Sequence, residues 1–237
     1  TLKHLTEQKT KLKVLILFIL SFILLFFIKF YVLVAMLPCL IGYFISVKFQ
    51  MKHPLIVYSS VVVFFSISAF NSKEIPPHFD FVETLVTKQK NFIRLAEVTE
   101  SGSRFELTKL EPTFLGIAIA MPEALANCFI RPLITKVNQF IFLPSIIENT
   151  LLIVLICLSF FSRLKRKVKL TTETKNMFWF SVFFTLILFT IIGLTTPVSG
   201  ALVRYKIPAL PFLGIAILTF LNTDYIIEKI PFLKFLK

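Results

Sequence analysis

The feature that most constrains this chain is a series of long stretches without a single charged side chain. They are residues 14–28, 30–47, 55–70, 177–196 and 207–221. In a soluble domain about a quarter of the residues are Asp, Glu, Lys or Arg, whereas these types make up 16% of this chain and hydrophobic types make up 56%. The pattern favours a lipid bilayer as the solvent for most of the chain.

The length of the apolar stretches predicts where the chain crosses the membrane. A spanning helix needs about 20 apolar residues, because the hydrocarbon layer is about 30 Å thick and a helix rises about 1.5 Å per residue. Residues 14–47 are too many for one span, so we predict two helices with a tight turn near Lys29, Phe30 and Tyr31. Further spans are predicted at 55–70, 140–161, 177–196 and 207–221.

These spans predict an all-α fold, a polytopic membrane helix bundle of about six transmembrane helices. The expected organisation is three helices in residues 1–70, an outer-face segment in 71–139 and three helices in 140–237. Lys and Arg in short loops stay on the cytoplasmic side, and with the N-terminus inside, the short inner loops hold several basic groups. These groups lie at 3–13, 48–52, 163–175 and 229–237. We therefore expect a multi-pass protein of the bacterial cytoplasmic (inner) membrane with both termini in the cytoplasm.

Composition argues against several other classes of protein. The formal net charge of +13 is scattered around hydrophobic spans, which fits membrane topology better than a nucleic-acid interface. The three cysteines lie in apolar stretches and the three histidines are isolated, so we expect no disulfide framework, metal site or cofactor. Membrane lipids are the expected partners. Because the chain begins with Thr1, we interpret it as the C-terminal portion of a longer protein.

The outer-face segment begins with an amphipathic pattern. Apolar residues recur at helical spacing in residues 81–97 while charged residues fill much of the other face, which predicts a helix that could lie flat on the bilayer. Ser101, Gly102 and Ser103 supply a turn after it. Residues 104–110 alternate enough to predict a short extended piece.

Residues 112–132 predict a second helix, which a proline interrupts. Thr113 can cap this helix at its start. Its small residues fall on one face at four-residue spacing, which lets helices approach closely: Gly116, Ala120 and Ala124. Pro122 lacks an amide donor, so we predict two short helices rather than one. Two placements fit such a broken helix, a kinked helix on the membrane surface and a re-entrant helix that lines a cavity.

Polar residues near this helix and in the following spans form the candidate site, which the predicted threading puts at the outer membrane face. The cations are Arg131, Arg204 and Lys206, the carboxylates are Glu123 and Glu148, and the accompanying groups are Tyr205, Asn127 and Asn149. An unpaired ionised group at membrane depth costs several kcal/mol. Glu148 therefore marks either a functional site or a pairing that holds helices together.

A cavity rimmed by these groups would suit a lipid-linked sugar phosphate. Arg presents a planar fork of donors that matches phosphate oxygens, and Tyr205 offers a face on which a sugar could stack. Glu123 or Glu148 could activate an acceptor hydroxyl, which makes them the catalytic candidates. The structural alternative is that Arg204, Tyr205 and Lys206 form an ordinary interfacial belt before the last span.

Three blocks in the second half of the chain carry a resemblance to known proteins. They read PEALANCFIRP at 122–132, IEN at 147–149 and TTPVSGALVRYKIPALPFL at 195–213. They resemble the C-terminal portion of poorly characterised bacterial multispanning membrane proteins of surface-polysaccharide assembly, which are glycosyltransferase-like. The resemblance implies a polyprenyl-phosphate-dependent glycosyltransferase or part of one. It also implies a catalytic carboxylate in an early outer loop, whereas the first outer turn here contains only Lys29.

The expected function is binding of a polyprenyl-phosphate-linked sugar in bacterial envelope glycan assembly, with glycosyl transfer or polymerisation as the reaction. Two alternatives belong to other classes. A transporter or flippase-like protein would move the same lipid without covalent chemistry, and internal symmetry between the halves would favour it. A non-catalytic membrane scaffold would use the same polar residues only to fix helix packing.

Overall fold

The architecture is helical throughout the part of the chain that the structure describes. The computed structural model describes residues 2–71, 80–132, 142–164 and 170–221. The helices in these ranges are α1 (Leu2–Ile28), α2 (Phe30–Lys48), α3 (Pro54–Phe70), α4 (Phe81–Val98), α5 (Phe114–Ile130), α6 (Leu143–Leu164), α7 (Thr172–Thr195), α8 (Ser199–Lys206) and α9 (Leu210–Phe220). A 3₁₀ turn at Ile207–Ala209 joins α8 to α9 in one nearly continuous rod. The predicted all-α class is confirmed.

Several of these helices suit a bilayer. Within the described ranges, four rods are long and apolar enough to cross a membrane: Phe30–Lys48, Leu143–Arg163, Thr172–Thr195 and Ser199–Phe220. Shorter apolar helices accompany them at Lys13–Ile28, Pro54–Phe70 and Phe114–Ile130. The rods expose large apolar side chains, among them Phe44 (65%), Phe64 (65%) and Leu218 (69%), which lipid accepts and water does not. By length and composition, the described helices therefore suit a helical membrane bundle.

The number of full-length rods differs from the predicted number of spans. Four rods meet the length criterion where six spans were predicted, because the predicted first and third spans correspond to the shorter helices Lys13–Ile28 and Pro54–Phe70. Four predicted features lie partly or wholly outside the described residues. They are both ends of the outer-face segment at 72–79 and 133–139, the start of the fourth span at 140–141, the middle of the basic group at 165–169 and the end of the chain at 222–237.

Helix α7 forms the centre of the bundle. It contacts α2, α3, α4, α5, α8 and α9, and it is buried along most of its length. Phe184, Leu188, Phe189 and Ile192 have exposed fractions of 2% or less. A helix that is apolar on all sides in this way is expected at the core of a helical membrane protein, where neighbouring helices surround it.

Small residues bring two pairs of helices into close contact. A Cβ atom at Gly193 would lie 2.1 Å from the backbone oxygen of Ala124, so α5 and α7 meet backbone to backbone. A Cβ at Gly42 would lie 2.8 Å from the ring of Tyr58, which packs α2 on α3. The predicted small-residue face of α5 is confirmed at Ala120 and Ala124, which are both buried in this contact. The third member, Gly116, does not reach α7 and lies against residues of its own N-terminal turn.

A buried polar contact marks the end of the bundle where α7 begins. Ser46 donates a hydrogen bond to Oδ1 of Asn176 at 2.5 Å, and the Tyr58 hydroxyl donates to the Asn176 carbonyl at 3.2 Å. Near this end the rings of Phe178 and Phe220 stack with centroids 4.7 Å apart. The last residues of α2 and α9 and the first residues of α3 and α7 therefore meet at one end of the bundle.

Helix α4 covers the opposite end of α7. The Asp80 carboxylate accepts hydrogen bonds from the backbone nitrogens of Val82 and Glu83, both at 3.0 Å, and so starts the helix. Its apolar side, which includes the buried Leu85, packs on the bundle. The amphipathic helix predicted at 81–97 is confirmed. Its apolar face lies against protein rather than lipid, because the end of α7 offers it a packing surface.

Buried Gln89 fixes α4 to the rest of the molecule. Its side-chain nitrogen donates to the carbonyls of Thr108 (3.0 Å) and Leu194 (2.8 Å), and its side-chain oxygen accepts from the Leu110 nitrogen (2.9 Å). One side chain thus satisfies backbone groups of the 104–110 segment and of the last turn of α7. The extended piece predicted at 104–110 has a single β-type pairing within the described residues, at Arg104.

The prediction that Pro122 splits the helix in two was wrong. Helix α5 is continuous from Phe114 to Ile130 with Pro122 inside it. The proline ring lies on the exposed side of the helix, while Ala120 and Ala124 are held against α7 on the other side. Packing on both sides of the proline therefore maintains the helix despite the missing amide donor.

Candidate functional site

The C-terminal end of α5 carries the first group of the site. The Arg131 nitrogen donates to the carbonyl of Asn127 at 3.0 Å, which closes the last turn of the helix. The Arg131 side chain turns back, so that its Nε donates to Oδ1 of Asn127 at 2.7 Å. The guanidinium carbon lies 3.9 Å from the ring centroid of Phe105, a close cation–π contact. Arg131 is thereby held in one orientation at the helix end.

Two further helices extend this group through hydrogen bonds. The carbonyl of Arg131 accepts from Nδ2 of Asn149, in the second turn of α6, at 2.5 Å. Oδ1 of Asn149 accepts in turn from Nζ of Lys206, the last residue of α8. We call the four residues Asn127, Arg131, Asn149 and Lys206 the polar chain. It connects α5, α6 and α8 across positions separated by up to 79 residues in the sequence.

The polar chain is buried. The exposed fractions are 1% for Lys206, 3% for Asn149 and 7% for Asn127, and Arg131 is half-buried at the rim. An ammonium group has three donors, and within the described residues Lys206 has one hydrogen-bond acceptor, Asn149. Removing a charge from water costs several kcal/mol unless partners compensate it. Among the groups of the site, Lys206 therefore has the greatest need of further hydrogen-bond acceptors.

Two atoms beside the polar chain have unsatisfied hydrogen-bonding capacity. Nδ2 of Asn127 and Oε1 of Glu148 are buried and have no hydrogen-bond partner within the described residues. Glu148 lies near enough to Lys206 for an electrostatic attraction. The site therefore combines unused donors on Lys206 and Asn127 with one unused acceptor, an arrangement that can receive an oxyanion and a proton-donating group together.

Glu123 lies one turn before Asn127 on α5 and has protein partners. Its Oε2 accepts a hydrogen bond from the hydroxyl of Thr108 and another from the Thr108 nitrogen at 3.3 Å. Partial burial lowers the pKa of the Arg131 guanidinium, and the negative charge of Glu123 opposes that shift. Glu123 thus supports the charge of Arg131 from a position fixed by the 104–110 segment.

Arg204 and Tyr205 point away from the polar chain. Arg204 is exposed, and its Nε donates to the Gly200 carbonyl of its own helix at 3.3 Å. Two residues correspond to about 200° around a helix, so Arg204 and Lys206 lie on opposite sides of α8. The Tyr205 ring packs against Tyr31 and Phe92, with centroids 5.8 Å and 6.1 Å away.

The predicted candidates therefore divide into three groups. The structure brings together Asn127, Arg131, Glu148, Asn149 and Lys206, and it holds Glu123 close to Arg131. It directs Arg204 and Tyr205 elsewhere. Sequence reasoning missed Phe105 and Thr108, which contact Arg131 and Glu123, because no periodicity or motif in the 104–110 segment marks them.

The remaining chemistry of the described residues is limited. They contain no group of three or more His, Cys, Asp and Glu side chains that could hold a metal ion. No protein-family model, curated protein or solved structure matches this chain.

Proposed function

We propose that this chain is an integral membrane protein of bacterial envelope glycan assembly that binds a polyprenyl-phosphate-linked sugar at the polar chain. The observation that supports the proposal best is the burial of Lys206 with a single acceptor, beside the unpaired amide of Asn127. A cation buried in this way gains from an anionic ligand, because the ligand supplies hydrogen-bond acceptors that the described residues leave out and adds to the attraction from Glu148.

A phosphate group matches this set of donors. Its oxygens accept several hydrogen bonds at once, and Lys contributes a compact positive charge while Arg contributes a planar fork. Arg131 at the half-buried rim would meet the phosphate first, and Lys206 would pair with it inside. The polyprenyl tail would lie along the apolar surfaces that the rods expose, such as those around Phe44 and Leu218.

Glycosyl transfer would use the carboxylate nearest to the phosphate. Glu148 has a buried oxygen without a donor, so it can accept the proton of an acceptor hydroxyl. The hydroxyl oxygen would then form a bond to the anomeric carbon. The bond from that carbon to the phosphate oxygen would break, and polyprenyl phosphate would leave with the electron pair. Glu123, which Thr108 already holds, would keep Arg131 charged and oriented.

Binding in lipid nanodiscs tests the proposal directly. Wild-type protein is titrated with polyprenyl phosphate, and Lys206→Met is compared with Arg204→Met, which removes a cation two residues away on the exposed side of the same helix. We expect Lys206→Met to weaken binding at least tenfold, since a charge-assisted hydrogen bond contributes about 1.5–3 kcal/mol. Arg204→Met should change the dissociation constant less than threefold.

The same preparation separates the three classes of function. Release of polyprenyl phosphate from a polyprenyl phosphohexose in the presence of membrane acceptors identifies a transferase. Movement of that lipid between the leaflets of proteoliposomes, without release, identifies a transporter. Equal affinity of wild type and Lys206→Met for polyprenyl phosphate, or no binding by the wild type, would contradict the proposal. The polar chain would then serve only to hold the helices together.

A further inference from the structure

Three aromatic rings from three different helices meet on a side of α8 next to the side that carries Lys206 of the polar chain. Tyr31 lies in the first turn of α2, Phe92 lies on α4 and Tyr205 is the residue before Lys206 on α8. The Tyr31 and Tyr205 rings are 5.8 Å apart at an interplanar angle of 61°, and the Phe92 and Tyr205 rings are 6.1 Å apart at 57°. We call these three residues the aromatic platform. All three are half-buried, so part of each ring surface is accessible.

Polar groups accompany the platform. The Tyr31 hydroxyl is buried and has no hydrogen-bond partner within the described residues. The ammonium of Lys88, on the exposed side of α4, lies 5.7 Å from the centroid of the Tyr31 ring. A buried tyrosine hydroxyl usually finds a partner, so an unpaired one beside accessible rings indicates a ligand with its own hydroxyl groups.

The platform and the polar chain are adjacent on α8. Tyr205 and Lys206 are consecutive, and their side chains diverge by about 100° around the helix axis. One side chain therefore points toward α2 and α4 while the other points toward α6. A ligand that placed a phosphate on Lys206 would have to extend about 100° around α8 for the group attached to that phosphate to meet the platform.

We propose that the aromatic platform is the subsite for the sugar of the lipid-linked ligand. This inference rests on the proposed function and extends it from the phosphate to the carbohydrate. A pyranose ring has faces of C–H groups that pack on aromatic rings, and an edge of hydroxyls. Tyr31 can donate to one of these hydroxyls, and Lys88 can donate to another at the rim. Because the Tyr31 hydroxyl is buried, this contact requires a local rearrangement that exposes it.

The test compares four ligands, polyprenyl phosphate without a sugar and three esters that differ only in the sugar. Polyprenyl phosphate and its phosphohexose esters of glucose, galactose and N-acetylglucosamine are titrated into nanodiscs that contain wild type, Tyr205→Ala, Tyr205→Phe or Tyr31→Phe. The quantity measured is the ratio of the affinity for the sugar lipid to the affinity for polyprenyl phosphate. The control is Tyr43→Ala, which removes a tyrosine of α2 whose ring faces Phe180 instead.

We expect the wild type to prefer at least one sugar lipid, and Tyr205→Ala to lower that preference about fivefold. Tyr205→Phe retains the ring and should retain the preference, as should Tyr43→Ala. Tyr31→Phe removes a hydroxyl that has no partner among the described residues, so it should lower the preference at least threefold without lowering the unfolding temperature. The Tyr31→Phe result separates a ligand contact from a packing role. If the hydroxyl served packing alone, Tyr31→Phe would leave the ratio of the two affinities unchanged.

The outcomes distinguish the two proposals. A wild type that binds polyprenyl phosphate but shows no sugar preference, or a Tyr205→Ala ratio within threefold of wild type, overturns the sugar subsite alone. A Tyr31→Phe ratio within threefold overturns the hydroxyl contact. A wild type that binds none of the lipids overturns the proposed function as well.

Discussion

At the scale of single residues, the sequence identified most of the polar groups but not the faces on which they lie. Arg204, Tyr205 and Lys206 are consecutive, and the structure directs their side chains to three different surroundings. The rotation of α8 about its own axis determines the direction of each of these side chains, and packing against neighbouring helices fixes that rotation. A signal was present in the sequence, because Leu202 is four residues before Lys206 and both are buried on one face, with exposed fractions of 0% and 1%.

Glu148→Gln tests whether the unpaired carboxylate carries chemistry. The change keeps the shape of the side chain and removes its ability to accept a proton, so release of polyprenyl phosphate should fall at least about 100-fold. Binding of polyprenyl phosphate should stay within about threefold, measured in the same nanodiscs. Glu123→Gln is the matched variant. It weakens two hydrogen bonds from Thr108 and the electrostatic support of Arg131, so it should lower the unfolding temperature and weaken phosphate binding while reducing release from the bound lipid far less than Glu148→Gln does. A Glu148→Gln protein with lower stability and full activity would instead favour a scaffold.

Gly193→Ala should destabilise the bundle. The new Cβ would lie 2.1 Å from the backbone oxygen of Ala124, and a backbone atom has no rotamer that avoids the clash. Overpacking of this kind costs about 2–3 kcal/mol, which corresponds to roughly 5–10 °C in the unfolding temperature of a chain of this size. Circular dichroism in detergent micelles measures the shift. Gly214→Ala is the control, because a Cβ there meets no atom within 4 Å, and a gain of up to about 1 kcal/mol is expected from helix propensity.

At the scale of helices, the pattern of the sequence predicted where α4 and α5 form. Tertiary packing determined which surface covers α4 and whether α5 stays continuous. The periodicity of residues 81–97 predicted an amphipathic helix without indicating whether lipid or protein covers its apolar face. The contacts of Gln89 with Leu194, Thr108 and Leu110 decide in favour of protein. In α5, local chemistry at Pro122 predicted a break, and the contact with α7 on either side of the proline kept the helix whole.

Asp80→Ala should loosen α4 from its N-terminus. The carboxylate accepts from two backbone nitrogens that have no partner within the helix, so its loss should cost about 1–2 kcal/mol. Amide hydrogen exchange in nanodiscs should accelerate roughly tenfold at Val82 and Glu83. Asp80→Asn retains an acceptor oxygen and should leave the exchange nearly unchanged. Equal acceleration in both variants would mean that the charge of Asp80, rather than its cap, stabilises the helix.

At the scale of the whole molecule, hydropathy predicted a helical membrane bundle. It did not predict which helices contact one another, and that information comes from the structure. No apolar stretch in the sequence distinguishes α7 from its neighbours, although six helices of the described part of the chain contact it. The two ends of α7 nevertheless have different partners. Asn176 meets α2 and α3 at one end, and Leu194 meets α4 at the other. A helix of 24 residues is about 36 Å long, which exceeds the hydrocarbon layer of about 30 Å.

The two ends of α7 should therefore open to opposite sides of the membrane. Thr172→Cys marks its first turn, and Glu106→Cys marks the segment whose Phe105 nitrogen donates to the Pro197 carbonyl, 2.9 Å away, just beyond its last turn. Both positions are exposed, and Cys157→Ser removes the exposed native thiol while Cys39 and Cys128 stay buried. A membrane-impermeant maleimide should label Glu106→Cys in spheroplasts and Thr172→Cys in inverted vesicles, because the basic loops favour a cytoplasmic N-terminus. Detergent should make both react equally. The reverse pattern would retain the span and overturn the orientation, and labelling of both from one side would exclude a membrane-spanning α7.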